Sequence, residues 1–228
     1  MAFPQWSVAG DLMRFDGLDA LPASLPVYVI AWRIVDDPDV WSHRLLGFKT
    51  DGTMANFNGG AWCLKRGVEC ILEDQGWAAE HTGLITALSS SDTNPSEKHV
   101  LYRTGKWIAE HLKLTFLTPH LTKEPHRSLH GLGGAGERDA EVEGKYTCAA
   151  FDGIAHVVIL DDLVTRGATF KELARAVHAA SGIKSFAALA VGKNEKRRYA
   201  NYCGATLNND HVSKEMETLW KRAEERFK

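Results

Sequence analysis

The stretch from His156 to Gly182, HVVILDDLVTRGATFKELARAVHAASG, leaves the chain the fewest ways to fold. Val157, Val158, Ile159 and Leu160 form a continuous apolar run, as expected of a short strand buried on both faces of a parallel sheet. Asp161 and Asp162 follow at once, and then a turn of small residues, Thr165-Arg166-Gly167-Ala168-Thr169. Phe170, Leu173, Ala174 and Val177 recur at helical spacing, and Gly182 supplies the stop. Strand, turn and helix N-terminus in that order place the turn at the carboxyl end of a parallel strand, the edge at which open α/β sheets bind ligands.

The chemistry of that turn is specific. The amides of residues 165 to 169 are expected to face a concavity backed by the positive end of a helix, which makes an anion site. Thr165 and Thr169 add hydroxyl donors, and Gly167 lets the backbone come close. Two carboxylates beside an anion site need a task of their own. They can accept hydrogen bonds from two sugar hydroxyls, or hold a divalent cation that bridges to the ligand. A ligand with a phosphate at one end and a vicinal diol nearby satisfies both halves, as a ribose 5-phosphate does. The competing reading is a βα unit whose Asp pair only caps a helix.

VVILDDLVTRGAT resembles the phosphoribosyl pyrophosphate (PRPP) motif of the type I phosphoribosyltransferases, with four apolar residues, two acids, two apolar positions and a Thr/Gly-rich phosphate loop. Arg166 stands where many members carry a second Thr. Farther upstream, GLGGAGERDAEVEGKYTCAAF is similar to the segment ahead of that motif in the ComF-type subgroup, through Leu132, Glu137-Arg138, Val142, Gly144 and Tyr146. LLGFK, ending in Lys49, looks like that subgroup's helix ending in Lys. The subgroup's four-Cys zinc module is absent from the N-terminal part, His99 to Gly105 replaces the usual Arg-Gly-Phe-Asn-Gln segment, and Leu129 stands where a Gln is expected.

The resemblance implies an α/β type I phosphoribosyltransferase fold: a central parallel sheet flanked by helices, with a small hood and a flexible lid loop. It implies Mg²⁺-dependent transfer of the phosphoribosyl group from PRPP to a nitrogen acceptor, base or amine, with release of pyrophosphate. Asp161 and Asp162 would be the catalytic acids and the Mg²⁺ site, mostly through ligand or water, and Thr165, Arg166, Gly167, Ala168 and Thr169 would hold the 5-phosphate. Two other classes remain in play, the first of them favoured by the altered segment at 99–105 and the Leu129 substitution. One is a PRPP- or nucleotide-sensing regulator without turnover. The other is a protein-interaction module on a retained fold.

A chain of 228 residues suits one α/β domain, with residues 1–60 as a hood or wrapping segment and 61–228 as the core. A net charge of −2 provides no basic field for nucleic acid as the main ligand. Cys63, Cys70, Cys148 and Cys203 form no C-x-x-C pair, so neither a zinc ribbon nor a disulfide framework is expected. Asp11, Arg14 and Asp16 interrupt any signal-peptide core, and no apolar run reaches spanning length, so a cytoplasmic protein without a membrane partner is expected. A homodimer or a protein partner is compatible with these features.

Taken in order, residues 1 to 26 read as irregular surface wrapping, and PVYVIAWRIV (26–35) as a strand. Asp39 to Phe48 reads as a short helix with Val40, His43, Leu46 and Phe48 turned partly inward. Ala61 to Leu72 reads as a second, buried through Leu64, Val68, Ile71 and Leu72. Trp6, Trp32, Trp41 and Trp62 suggest a packed lobe or, less often, a base pocket. GLITAL (83–88), a helix over 100–112 and KLTFL (113–117) make a βαβ unit; Val100, Thr104, Trp107, Ile108 and His111 mark the helix's face. In the loop between the first strand and the helix, Ser89, Ser90, Ser91, Lys98 and, from the helix, Arg103 are candidate pyrophosphate donors.

Residues 118 to 150 show no periodic element, and His120, Lys123, His126, Arg127, His130, Glu137 and Arg138 give this stretch the content of a lid. SFAALAV (185–191) is the last core strand, and the basic run from Lys193 to Arg198 reads as a solvated loop. Ser213 to Phe227 is a terminal helix with Met216, Leu219, Trp220 and Ala223 on one face.

Overall fold

A computed structural model describes residues 6–18, 20, 24–50, 52–125, 140–197 and 206–227, and among these residues it shows nine strands and five longer helices. The strands are β1 (Ser7–Ala9), β2 (Leu12–Leu18), β3 (Leu25–Ile34), β4 (Thr82–Thr86), β5 (Thr115–Phe116), β6 (Leu121–Lys123), β7 (Tyr146–Cys148), β8 (His156–Val164) and β9 (Ser185–Glu195). The helices are α1 (Val40–Lys49), α2 (Met54–Gln75), α3 (Val100–Leu112), α4 (Ala168–Ser181) and α5 (Lys214–Arg226). Seven strands form one sheet in the order β1-β2-β3-β9-β8-β4-β5. From β3 to β5 all neighbours are parallel, and β1 and β2 extend the β3 edge antiparallel. The molecule is therefore α/β, with a mostly parallel central sheet flanked by helices.

β8 shows why the apolar run is unbroken. Val157 and Ile159 pack on one side with Phe170, Leu173 and Val177 of α4. Val158 and Leu160 pack on the other with Leu64 and Val68 of α2 and Ile108 of α3. With both faces covered, no position of the run meets water. α1 crosses α2 closely because Gly60 has no side chain; a Cβ there would lie 2.1 Å from Phe48 Cδ2. α5 lies along α2 and is tied to α1 through Arg44, a buried cation that bonds Glu217 and Glu224 while Trp41 and Trp220 meet edge to face at 5.4 Å. This helix packs on the domain as its apolar face implies.

Several expectations are corrected. Residues 7–18 are not irregular wrapping but two strands of the main sheet, turned at Gly10 with φ +58°. β3, assigned to the hood on sequence, pairs with β9 near the middle of the sheet. α1 buries Trp41, Arg44, Leu45 and Phe48, while Val40 and Leu46 face solvent. α2 begins a turn and more earlier than expected, capped by Thr53, whose hydroxyl accepts from the Asn56 amide. In α3, His111 is exposed and Gly105 and Ala109 complete the buried face. β9 continues to Glu195, so Lys193 is not in a solvated loop; it is 2 % exposed, paired with Glu195 and set over the Trp32 ring. Residues 118–150 hold a short 3-10 turn (Thr118–His120) and the antiparallel ribbon of β6 and β7. Among the described residues no helix is long and apolar enough to cross a membrane.

Candidate functional site

Strand order locates the crevice. β4 runs through α3 to β5 on one side of the sheet, whereas β8 runs through α4 to β9 on the other, although β4 and β8 are neighbours. The loops leaving their carboxyl ends therefore diverge and open a cleft, the topological switch point at which α/β sheets take ligands. The cleft has a volume of about 390 Å³, and Asp161, Asp162, all five residues from Thr165 to Thr169, Ser89 and Ser90 line it. So do Lys49, His99, Tyr146 and Asn194, from four other parts of the chain.

The two acids differ in setting. Asp162 Oδ2 lies 2.7 Å from Lys49 Nζ, and its Oδ1 accepts from the Leu163 amide. Asp161 Oδ1 accepts from the Asp162 amide at 2.8 Å. Asp161 is half-buried at the wall of the cleft; burial, and then the Asp162 charge, push its carboxyl up to about 8, only partly opposed by Lys49. Without a ligand Asp161 thus tends to hold its proton. A cation or paired hydroxyl donors arriving in the cleft favour its ionised form.

The turn after β8 is built for an anion. Gly167 caps α4 with φ +81°, and a Cβ there would lie 2.6 Å from Leu18 Cδ2, so the position needs glycine twice over. Leu18 belongs to β2, which shows how the N-terminal strands support the loop. The Asn194 amide donates to Thr165 Oγ1 at 3.2 Å, and Asn194 Oδ1 accepts from Arg33 at 2.9 Å. The N-terminus of α4, a helix of 14 residues, points its amide end at the cleft.

The loop after β4 meets expectation in part. Ser89 and Ser90 reach the cleft, whereas Ser91, Lys98 and Arg103 do not line it. Lys98 is exposed, and the Arg103 guanidinium stacks 5.2 Å from the Phe57 ring centre. His99, at the start of α3, lines the cleft instead, with Nε2 2.7 Å from Asp92 Oδ2. Neither Lys49 nor His99 stood among the site residues expected from the sequence. Lys49 carried a faint signal in the LLGFK segment, and His99 only in the substitution at 99–105.

The lid expectation is corrected at Lys123. This residue is buried in β6, donates to the carbonyls of Ser89 and Leu88, and lies 5.5 Å from the Tyr146 ring centre. Burial pulls its ammonium down to about 8, opposed by Asp92 and Asp161. Tyr146 Oη exchanges hydrogen bonds with the backbone of Leu88, both at 3.2 Å, and the Tyr146 backbone is held by Glu172 and Arg175 of α4. The ribbon thus clamps the loop after β4 to the helix after β8. His126, Arg127, His130, Glu137 and Arg138, expected in the lid, lie outside the described residues, as do Leu129 and Leu132.

Trp32 packs edge to face on Phe15 and Trp41 on Trp220, and no tryptophan lines the cleft. Among the described residues no group of three or more His, Cys, Asp or Glu is arranged to hold a metal. Two adjacent carboxylates at a cleft still suit Mg²⁺, which keeps waters and ligand oxygens and needs only one or two protein carboxylates. Cys63, Cys70 and Cys148 are free thiols. In comparisons with known proteins, no family model matches the chain and no curated protein matches it.

Proposed function

We propose that the protein is a Mg²⁺-dependent phosphoribosyltransferase of type I fold, taking PRPP and a nitrogen acceptor and releasing pyrophosphate. One observation carries the reading: an Asp pair and a helix-capped, hydroxyl-bearing anion turn lie on one wall of a cleft at the switch point of a parallel sheet. The pair suits a ribose diol, and the turn suits the 5-phosphate at the other end of that sugar.

In this reading Thr165 to Thr169 bind the phosphate through backbone amides and hydroxyls, and Asp161 and Asp162 accept from the ribose hydroxyls. Asp161 and Asp162 would hold Mg²⁺ when it is bound, and the ion would supply neutralisation of the pyrophosphate charge. As the bond from C1 to pyrophosphate oxygen lengthens, positive charge develops at the ring. The ionised Asp pair stabilises that charge without forming a covalent bond. Lys49 holds the Asp162 side chain in place before the ligand arrives.

The same Lys49–Asp162 ion pair favours a second reading, a PRPP sensor without turnover, because it occupies a carboxylate that transfer requires. Pyrophosphate release measured with PRPP and a panel of nucleobases and amines separates the two. Release with any acceptor supports transfer; PRPP binding without release across the panel leaves the sensor.

A further inference from the structure

His99 and Asp92 form a pair for which the Asp cleft so far has no task. Both belong to the segment between β4 and α3, and their side chains meet at 2.7 Å. Asp92 is largely withdrawn from solvent, at 19 % side-chain exposure, while His99 keeps 44 % and lines the cleft. An inner carboxylate on one ring nitrogen and an open second nitrogen is the arrangement by which a protein orients an imidazole for proton transfer. The segment is itself held in place. The Asp92 amide donates to the Ser89 carbonyl at 3.0 Å, the His99 amide donates to the Ser96 carbonyl at 3.2 Å, and Lys123 donates to the Ser89 and Leu88 carbonyls. Lys49, Arg166, Asp161 and Asp162 are the other charged groups facing the same cleft.

We propose that His99, oriented by Asp92, is the catalytic proton donor to the departing pyrophosphate. This rests on the phosphoribosyl-transfer reading of the cleft. The ring stands at the start of α3 and lines the cleft together with Ser89 and Ser90 of the segment after β4. In the proposed step Nε2 keeps its contact with Asp92 Oδ2 and Nδ1 is the atom that gives up the proton. When the C1–O bond breaks, the pyrophosphate oxygen keeps the bonding pair and takes the Nδ1 proton. The acceptor nitrogen forms the new bond to C1 and releases its own proton to solvent, from which the imidazole is recharged. Atoms and charges balance without another reactant.

The test uses the full chain and two probes, Mg²⁺ with inorganic pyrophosphate and ribose 5-phosphate, titrated separately by calorimetry. His99→Gln is expected to weaken pyrophosphate by about ten- to a hundredfold, the range of one charge-assisted hydrogen bond, with ribose 5-phosphate unchanged. Asp92→Asn is expected to act in the same direction. Nitrogen NMR of histidine-labelled protein adds a readout that a structural role would not move: the His99 Nδ1 signal shifts with pyrophosphate and not with ribose 5-phosphate. Equal pyrophosphate affinity in His99→Gln, no pyrophosphate binding to the wild type, or an unresponsive Nδ1 overturns the inference. Pyrophosphate binding that depends on His99, with no ribose 5-phosphate binding, upholds the anion role of His99 and removes the phosphoribosyl reading instead.

Discussion

Replacing Asp161 by Asn should make the protein more stable at pH 8 while impairing its site. The Asp161 carboxyl is raised from 3.8 to about 8 by burial and by Asp162, so between those values the folded chain holds a proton that the unfolded chain has lost. Stability therefore falls as pH rises through this window, and Asn, which has no proton to lose, escapes the fall. Burial and the Asp162 charge disfavour the ionised form in the folded chain, and Asn removes that penalty. Relaxation around Lys49 returns part of this, and relieving functional-site strain commonly recovers about 0.5–2 kcal/mol. Asn keeps an oxygen for the bond from the Asp162 amide, so no hydrogen bond need be lost. For a chain of this size a gain of 1–2 kcal/mol raises Tm by roughly 2–8 °C. Thermal melts of both proteins at pH 4.5 and pH 8 provide the assay, and their separation should widen toward pH 8. A variant that melts below the wild type by the same amount at both pH values would refute the reasoning.

Other perturbations reach different parts of the account. Asp162→Asn should weaken PRPP by about ten- to a hundredfold through lost charge-assisted hydrogen bonds, read by calorimetry, without a collapse of the melting transition. Gly167→Ala combines a left-handed backbone with a Cβ 2.6 Å from Leu18, and should cost roughly 1–3 kcal/mol in a urea melt as well as weakening phosphate binding. Lys123→Met leaves the Leu88 and Ser89 carbonyls without their ammonium partner; hydrogen exchange should speed through residues 88–93, with a stability loss of about 1–3 kcal/mol. Arg44→Ala strands Glu217 and Glu224 and uncovers Trp220, and because both carboxylates are partly solvated the expected loss is about 1–3 kcal/mol in a urea melt.

The parts of the fold legible in sequence are those whose packing is regular. β8 and α4 read clearly because both faces of the strand and one face of the helix are covered, which imposes unbroken and 3.6-spaced apolar patterns. β2 hid because a register shift between Phe15 and Leu18, with Gly17 at φ +83°, breaks its alternation. β6 and β7 are three residues each, too short to show a period. The buried face of α1 escapes an apolar pattern because its centre is Arg44, a charge that enters the interior only with two carboxylates and two indoles around it. At the site, the Asp pair and the anion turn are contiguous in sequence and were visible together. Lys49, His99, Tyr146 and Asn194 come from separate elements, and only the sheet order brings them to one cleft.

The most direct test is a calorimetric titration of PRPP with Mg²⁺ into the wild type and into the Asp161→Asn/Asp162→Asn double variant, each confirmed folded by its melting curve. The account predicts binding to the wild type that disappears in the double variant. A well-folded wild type that takes up no PRPP, or a double variant that binds it as tightly, would contradict it.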